Sequence, residues 1–266
     1  MSATNRTVEA EVLTIDTDES PKARKKFAAL VESIATTTGQ HPDAVRTILE
    51  ATRKSRKKNK RSKGDFYETP AWCVDAIVPW LPTEGEPVIV DAGSGTGAIA
   101  ARLSEINPRA EIVGVEKQLE LAEKARARDL RNAEFRVANF LNDELDLIRA
   151  PDLVIMNPPF CFALLFVERA LKIVRRGGTV CALLRLNWLA SKSRREFLKR
   201  HLPNVHVLTK RPSFTGRGTD ATEYAWMVWS PGSTGQLNLL THDDKSKRRP
   251  RLHAPRKAKH APALEG

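Results

Sequence analysis

The sequence predicts an α/β fold in which helices cover both faces of a mostly parallel sheet. Short apolar strands alternate with helical segments through the middle of the chain, and this alternation is typical of a parallel sheet. The last two strands follow each other without a helix, so we expect the final strand to be antiparallel. A length of 266 residues allows one such domain with appendages.

Seven strands are expected, and helices join most of them. The apolar runs that predict strands lie at 88–90, 112–115, 135–137, 153–156, 180–184, 205–208 and 224–229. Helices are expected at 98–106, 119–130, 163–174 and 193–202. The chain divides into an acidic, disordered segment 1–20, a small helical hairpin with a basic run at 21–63, the sheet domain at 64–232 and a basic, disordered tail at 233–266.

Two basic runs account for the positive charge of the protein. Eight Lys or Arg fall within 53–63 and eight within 245–259, and neither run contains an acid. Removing those sixteen charges takes the formal net charge from +12 to −4. Such runs indicate a polyanionic partner, most simply nucleic acid, although solvated tails would have the same composition.

Other features exclude several classes of protein. No segment approaches the ~20 apolar residues of a membrane helix, and the first twenty residues are unlike a signal peptide, so we expect no membrane partner. Cys73, Cys161 and Cys181 lie far apart and form no CxxC pair, which argues against a disulfide framework or a metal site. A cytoplasmic location is therefore expected.

A glycine-rich turn follows the first predicted strand in the segment Asp91-Ala92-Gly93-Ser94-Gly95-Thr96-Gly97. Glycines let the backbone approach a ligand closely, and Gly93, Gly95 and Ala98 would also satisfy a dinucleotide-binding GxGxxA. A carboxylate at Asp91 would repel a pyrophosphate, but it suits a cation such as the amino acid end of S-adenosylmethionine (SAM). Glu116, at the end of the second strand, is placed to accept hydrogen bonds from ribose hydroxyls.

These features resemble the first two motifs of the class I SAM-dependent methyltransferases, over about 65–230. The resemblance implies a Rossmann-like fold and SAM as cofactor. Asn139 stands where the family usually has Asp, and Phe140 where an apolar residue lies against the adenine ring. Asp65-Phe66-Tyr67-Glu68-Thr69-Pro70 is similar to the motif that closes over the methionine part of SAM in amino-methylating members. The implied cofactor residues are Tyr67, Thr69, Pro70, Asp91, Gly93, Gly95, Gly97, Glu116, Asn139 and Phe140.

A second motif, Asn157-Pro158-Pro159-Phe160, follows the fourth predicted strand, at the edge where open α/β sheets bind ligands. It resembles the NPPF/Y motif of enzymes that methylate planar nitrogens, including adenine N6 and glutamine amides. Asn157 Oδ1 and the Pro158 carbonyl can each accept one N–H, which localises the lone pair of such an amine. Pro158 and Pro159 keep the turn rigid, and Phe160 would stack on the target ring.

Adenine in DNA is the expected target. Phe160, where glutamine-modifying enzymes more typically have Tyr, favours adenine, and the basic runs favour nucleic acid. The motif at 65–70 and the stretch at 211–226 resemble compact adenine-N6 DNA methyltransferases of phages and prophages. In that stretch, Arg211, Phe214 and Arg217 could hold or wedge a flipped base, although Phe214 could equally anchor an ordinary surface loop.

Three other functions stay open from the sequence: an RNA adenine-N6 methyltransferase, a protein glutamine-amide methyltransferase and a non-catalytic SAM- or nucleic-acid-binding subunit. No long recognition segment interrupts the core, so we expect low or short sequence specificity. Trp226 and Trp229 are expected in the core, whereas Asn187 and Trp188 either line the target pocket or pack.

Overall fold

The computed structural model describes residues 21–39, 41–47, 49–50, 68–145, 147, 149–214 and 221–241. Several features predicted from the sequence lie outside these residues. They are the segment 1–20, the basic runs at 53–63 and 245–259, and the candidate site residues Tyr67 and Arg217.

The described chain is built around an eight-stranded sheet. Its strands are β1 (Val88–Ala92), β2 (Glu111–Glu116), β3 (Ala133–Val137), β4 (Leu153–Met156), β5 (Thr179–Arg185), β6 (Asn204–Leu208), β7 (Tyr224–Trp229) and β8 (Leu237–Leu240). Their order is β3-β2-β1-β4-β5-β7-β6-β8. The first five strands pair in parallel, and β7 is antiparallel to both β5 and β6. The predicted Rossmann-like sheet with its antiparallel strand is thus confirmed.

One strand more than the expected seven is present. β8 lies within the segment predicted as a disordered tail, and it pairs in parallel with β6 at the sheet edge. Leu240 is buried, whereas Leu237 and Leu239 are 66% and 65% exposed. A four-residue edge strand with half of its side chains in solvent carries too little apolar pattern to be recognised. The prediction of a disordered tail is therefore wrong for these residues.

Helices cover both faces of the sheet. One face carries α1 (Pro21–Thr38), a helical segment at 42–47 and 49–50, and α5 (Ala163–Ile173). The other face carries α2 (Ala71–Ile77) and α3 (Ala98–Ile106), while α4 (Leu119–Arg126) packs against β2 and β3 and α6 (Arg195–Arg200) precedes β6. Among the helices of the described ranges, none is long and apolar enough to cross a membrane.

Alternating side chains of the buried strands fill two core layers. In β7, Met227 and Trp229 pack on the α5 side, whereas Trp226 packs on the α2 side. Trp226 is fully buried, and its Nε1 donates a hydrogen bond to Cys73 O at 2.8 Å, which ties β7 to α2. The core positions predicted for Trp226 and Trp229 are confirmed. Trp188 also packs into the core, 6.0 Å from Trp229 between ring centroids.

Candidate active site

The loop after β1 needs glycine for both its backbone angles and its space. Gly93, Gly95 and Gly97 have φ angles of 73°, 55° and 75°, in the left-handed region that side chains disfavour. A Cβ at Gly97 would lie 2.7 Å from the ring of Phe135. Gly93 N donates to Val115 O at 2.8 Å, so the loop lies over the end of β2.

Glu116 joins this loop to the end of β2. Its carboxylate is buried, with Oε2 accepting from Gly95 N at 3.0 Å and Oε1 accepting from Gln118 N at 2.9 Å. Each carboxylate oxygen can accept a second hydrogen bond. The geometry is therefore compatible with ribose hydroxyls binding to the same carboxylate, while the backbone bonds keep its orientation fixed.

Asp91 is a buried carboxylate with one unused acceptor. It is 1% exposed; Oδ2 accepts from Ala100 N at 3.2 Å, and Oδ1 has no partner among the described residues. Burial raises the pKa of Asp91 to about 7; the Ala100 hydrogen bond opposes this shift and the charge of Glu116 adds to it. A cation beside Asp91 would favour its ionised form. These residues fit the ammonium group and ribose of SAM, but they do not fit a pyrophosphate.

Asn139 and Phe140 follow β3 and are both buried. Asn139 Oδ1 accepts from Leu141 N at 3.2 Å, and Asn139 N donates to Asp143 Oδ2 at 2.6 Å. Phe140 is 2% exposed and stacks on Phe166, with 5.2 Å between ring centroids. The contact of Phe140 with adenine stays a prediction.

The sequence does not indicate Phe166 as a site residue, although its ring lies close to the glycine loop. A Cβ at Gly93 would be 3.4 Å from its ring. It belongs to α5, which carries no motif, and its apolar neighbours suggest only a core position. Phe166 thus stacks on Phe140 and lies close to the glycine loop, and no local pattern indicates either contact.

Hydrogen bonds connect the segment at 68–70 with the glycine loop. Glu68 Oε1 accepts from Thr96 Oγ1 at 3.1 Å and from Arg128 Nη2 at 2.6 Å. Arg128 Nε also donates to Thr96 O at 2.5 Å. Thr69 is buried, and Pro70 is the residue before α2. Glu68 belongs to the motif at 65–70, whereas no motif in the sequence indicates Arg128, which follows α4.

Asn157 lies just beyond the carboxyl end of β4. Its Nδ2 donates to Thr69 Oγ1 at 3.0 Å, which fixes the plane of the amide and therefore the direction of Oδ1. Pro158 is buried and Pro159 is exposed. Because β4 pairs in parallel with β1, Asn157 just after β4 and Asp91 near the carboxyl end of β1 lie at the same sheet edge. The structure thus brings the motif at 68–70, the glycine loop and the second motif together.

Phe160 stands beside two residues that the sequence did not indicate. The Arg185 guanidinium lies over its ring, 4.6 Å from the centroid, and the Tyr224 ring centroid is 5.8 Å away. Arg185 Nε also donates to Tyr224 OH at 3.4 Å. Arg185 ends β5 and Tyr224 begins β7, so only the sheet order places them next to the second motif.

The candidate substrate residues of the late stretch are held by neighbouring side chains. Phe214 is 8% exposed and packs edge-on against Tyr224, with 5.0 Å between centroids. The exposed Arg211 forms an ion pair with Glu223. This placement of Phe214 is that of a loop anchor, and its role as a wedge stays a prediction. Asn187 is exposed. No cluster of three or more His, Cys, Asp or Glu in the described chain could hold a metal ion.

Comparison with known proteins gives a family and a relative. The sequence profile of a family described as "Methyltransferase small domain" matches residues 73–215, more than half of the chain. A release factor glutamine methyltransferase from Koribacter versatilis (strain Ellin345) is 31% identical over 108 residues. That match covers 36% of this chain and 38% of the relative, so the similarity spans well under half of the relative's length.

Three solved structures share the fold at low identity. A protein from Listeria monocytogenes, assigned to the class I SAM-dependent methyltransferases, has a TM-score of 0.53 at 14% identity and covers 88% of this chain and 91% of its own. The modification subunit assigned to a type I restriction enzyme of Vibrio vulnificus YJ016 has 0.52 at 18%, covering 75% and 52%. A protein of Pyrococcus horikoshii, assigned as an RNA methyltransferase, has 0.51 at 20%, covering 64% and 91%.

Proposed function

On the premise that the chain belongs to the methyltransferase small domain family, we propose that it methylates the N6 amine of adenine in DNA, with low or short sequence specificity. SAM is the methyl donor of this class I methyltransferase. When bound, SAM supplies an electrophilic methyl group on a sulfonium centre. Asp91 and Glu116 would hold its ammonium and ribose groups, and the glycine loop would lie against it.

The hydrogen bond from Asn157 to Thr69 is the observation that carries the proposal. It orients the side-chain amide through Nδ2, and the Oδ1 of an amide can accept an N–H of the target. An adenine amine has two N–H groups and a delocalised lone pair. Acceptance of these N–H groups by Asn157 Oδ1 and the Pro158 carbonyl favours a pyramidal nitrogen with its lone pair exposed.

This chemistry needs no general base, because the amine attacks before it loses a proton. Neutral acceptors therefore suffice, and a carboxylate in place of Asn157 is unnecessary. Phe160 supports the target ring by stacking, and the Arg185 guanidinium on its ring limits the movement of the aromatic side chain.

DNA is favoured by the basic runs and by Phe160 after the two prolines. The fold shared with a restriction-modification subunit is compatible with this target.

A second candidate, methylation of a protein glutamine amide, is favoured by the identity to the release factor glutamine methyltransferase. We also propose a cytoplasmic location, because the spacing of Cys73, Cys161 and Cys181 does not indicate a disulfide framework.

Radiolabelled methyl transfer tests the proposal directly. Tritiated SAM is incubated with the protein and double-stranded DNA, single-stranded DNA, total RNA or a release factor, followed by nucleoside or peptide analysis. N6-methyladenine in DNA, spread over many sequence contexts, is expected. Label only in RNA or in the release factor would refute the choice of DNA, and label confined to one long motif would refute low specificity.

Asn157→Ala is expected to lower turnover by about 10²-fold or more, because it removes one acceptor from the target amine. SAM affinity, measured by calorimetry, should stay within about twofold of wild type because this residue faces the target. The exposed Glu111, at the opposite edge of the sheet, provides a control, and Glu111→Gln should keep wild-type turnover. Full activity in Asn157→Ala would contradict the assignment.

A further inference from the structure

A groove open to solvent lies along the segment that joins β5 to β6. Two 3₁₀ turns, Leu186–Leu189 and Lys192–Arg194, lead from β5 into α6, and the groove lies along this segment. Its volume is about 560 Å³. The residues that line it include Leu189, Lys192, Arg195, Leu198, Lys199 and Leu202.

Cations form the charged part of this groove. Lys192, Arg195 and Lys199 are exposed, and no acidic residue lines the groove. The nearest acid on α6 is the exposed Glu196, whose carboxylate lies 3.5 Å from Arg195 and 3.1 Å from Lys199. Salt screens such exposed pairs, and a polyanion can replace them. The groove is thus positive on a protein that is net acidic outside its two basic runs.

The rest of the groove is apolar. Leu189 and Leu198 are partly buried, and Leu202 is 49% exposed at the open side. An apolar floor beside a row of cations suits a sugar–phosphate backbone, because the phosphates can pair with the cations while the sugars lie on the leucines. A small inorganic anion would make no use of the leucines.

The groove is close to the target site along the chain. Arg185, whose guanidinium lies over Phe160, is seven residues before Lys192, a reach of at most about 25 Å. A nucleic acid strand advances about 3.4 Å per nucleotide along its axis. A strand that presents one base to Asn157 would therefore bring a phosphate to the groove within several nucleotides.

We propose that this groove binds the phosphate backbone of DNA next to the adenine that is methylated. The proposal rests on the proposed function for the identity of the nucleic acid. It adds a folded contact surface to the two basic runs, and it names Lys192, Arg195 and Lys199 as the residues that position the DNA.

The test compares two variants that remove the same charge. Lys192→Ala/Lys199→Ala empties the groove of two cations, whereas Arg109→Ala/Arg131→Ala removes two exposed cations from the opposite edge of the sheet. Fluorescence anisotropy with a labelled duplex of about 30 base pairs gives the affinity at several salt concentrations. Calorimetry with SAM confirms that each variant is folded, and methylation assays give kcat and KM for DNA.

The groove variant is expected to bind about tenfold more weakly near 0.15 M salt, and its log–log salt slope should decrease by about 2. KM for DNA should rise with kcat unchanged, while the control variant stays close to wild type. Equal affinity and slope in both double variants would overturn the groove, even if DNA is methylated. A weakened groove variant of a chain that methylates no DNA would support the groove and refute the proposed function. Binding of RNA but not of DNA would overturn both.

Discussion

Thr69 orients the amide of Asn157, the residue proposed to face the target amine. Replacing it by Val removes the acceptor for Asn157 Nδ2 at nearly unchanged volume, so the amide can rotate away from its catalytic direction. We expect kcat to fall by about tenfold to a hundredfold. Ser keeps the hydroxyl and should restore most of the rate, which separates positioning from packing.

Measurement of kcat, KM for DNA and SAM affinity distinguishes this role from the cofactor contact that the sequence predicted for Thr69. Positioning predicts a loss in kcat with SAM affinity nearly constant. A Val variant as fast as wild type, or a Ser variant as slow as Val, would contradict it. A variant that loses only SAM affinity would instead support the cofactor contact predicted for Thr69.

Asp91 gives SAM binding a predictable pH dependence. Burial raises the pKa of its carboxyl group to about 7, so the ligand-free protein holds a proton there at lower pH. A bound ammonium group favours the ionised carboxylate, and binding below about pH 7 must therefore release a proton. SAM affinity should rise about tenfold per pH unit from about pH 5.5 and level off near pH 7.

Calorimetry between about pH 5.5 and 7.5 measures this profile while the α-amino group of SAM, with a pKa of about 7.7–8.0, stays mostly protonated. Asp91→Asn cannot titrate, and its SAM affinity should be weaker at pH 7 and nearly independent of pH. A wild-type profile that is flat across this range would contradict an ammonium partner for Asp91.

Residues in the two motifs could be predicted because their neighbours in sequence are also neighbours in space. Asn157 directly follows β4 and Asp91 is the last but one residue of β1, so the local pattern already puts both at the ligand edge. Arg185 and Arg128 could not be predicted in this way. Their partners Phe160 and Glu68 come from other elements, and only the assembled sheet brings them together.

At the scale of elements, Asp152 joins three segments at the edge opposite the active site. Its Oδ2 accepts from Val88 N and from Arg149 Nη1, both at 2.8 Å, and its Oδ1 accepts from Arg175 Nε. Burial alone would raise the pKa of Asp152. The hydrogen bonds from Val88, Arg175 and Arg149 outweigh burial, so the pKa is lowered.

Asp152→Asn is therefore expected to lower the free energy of unfolding at pH 7 by about 1–3 kcal/mol. A lowered pKa stabilises the folded protein above the unfolded pKa of about 3.9, and this contribution is lost as the pH falls through the folded pKa. Urea unfolding should show the full difference at about pH 7 and 5 and a smaller one below about pH 4. Glu111→Gln, exposed at the same edge, should change stability little; an equal loss in both variants would contradict this role for Asp152.

The central strands were predictable because they are continuous apolar runs buried on both faces. The lengths of the helices were less predictable than the strands. The helix expected at 119–130 ends at Arg126. The helix expected at 193–202 begins as a 3₁₀ turn, which is followed by α6. β8 could not be predicted from its apolar residues, because it is a short edge strand that forms by pairing with β6.

At the scale of the whole molecule, the tail at 245–266 and the folded domain are expected to contribute separately to DNA affinity. On the proposed function, the eight cations of 245–259 would neutralise phosphates without reading sequence. Deleting 245–266 should weaken DNA binding and flatten its salt dependence, while SAM affinity stays at the wild-type value. Filter binding over a range of salt concentrations checks this, and an unchanged affinity would contradict a role for the tail.

The residues proposed to bind the methyl donor and those proposed to bind the methyl acceptor come from different parts of the strand order. Asp91 and Glu116 come from β1 and β2, whereas Asn157, Arg185 and Tyr224 come with β4, β5 and β7. The two halves meet where β1 pairs with β4. Substitutions in the second half can thus change which molecule is modified while the first half keeps its cofactor. Proteins of this architecture can therefore differ in the substrate that they methylate while they keep the same cofactor site.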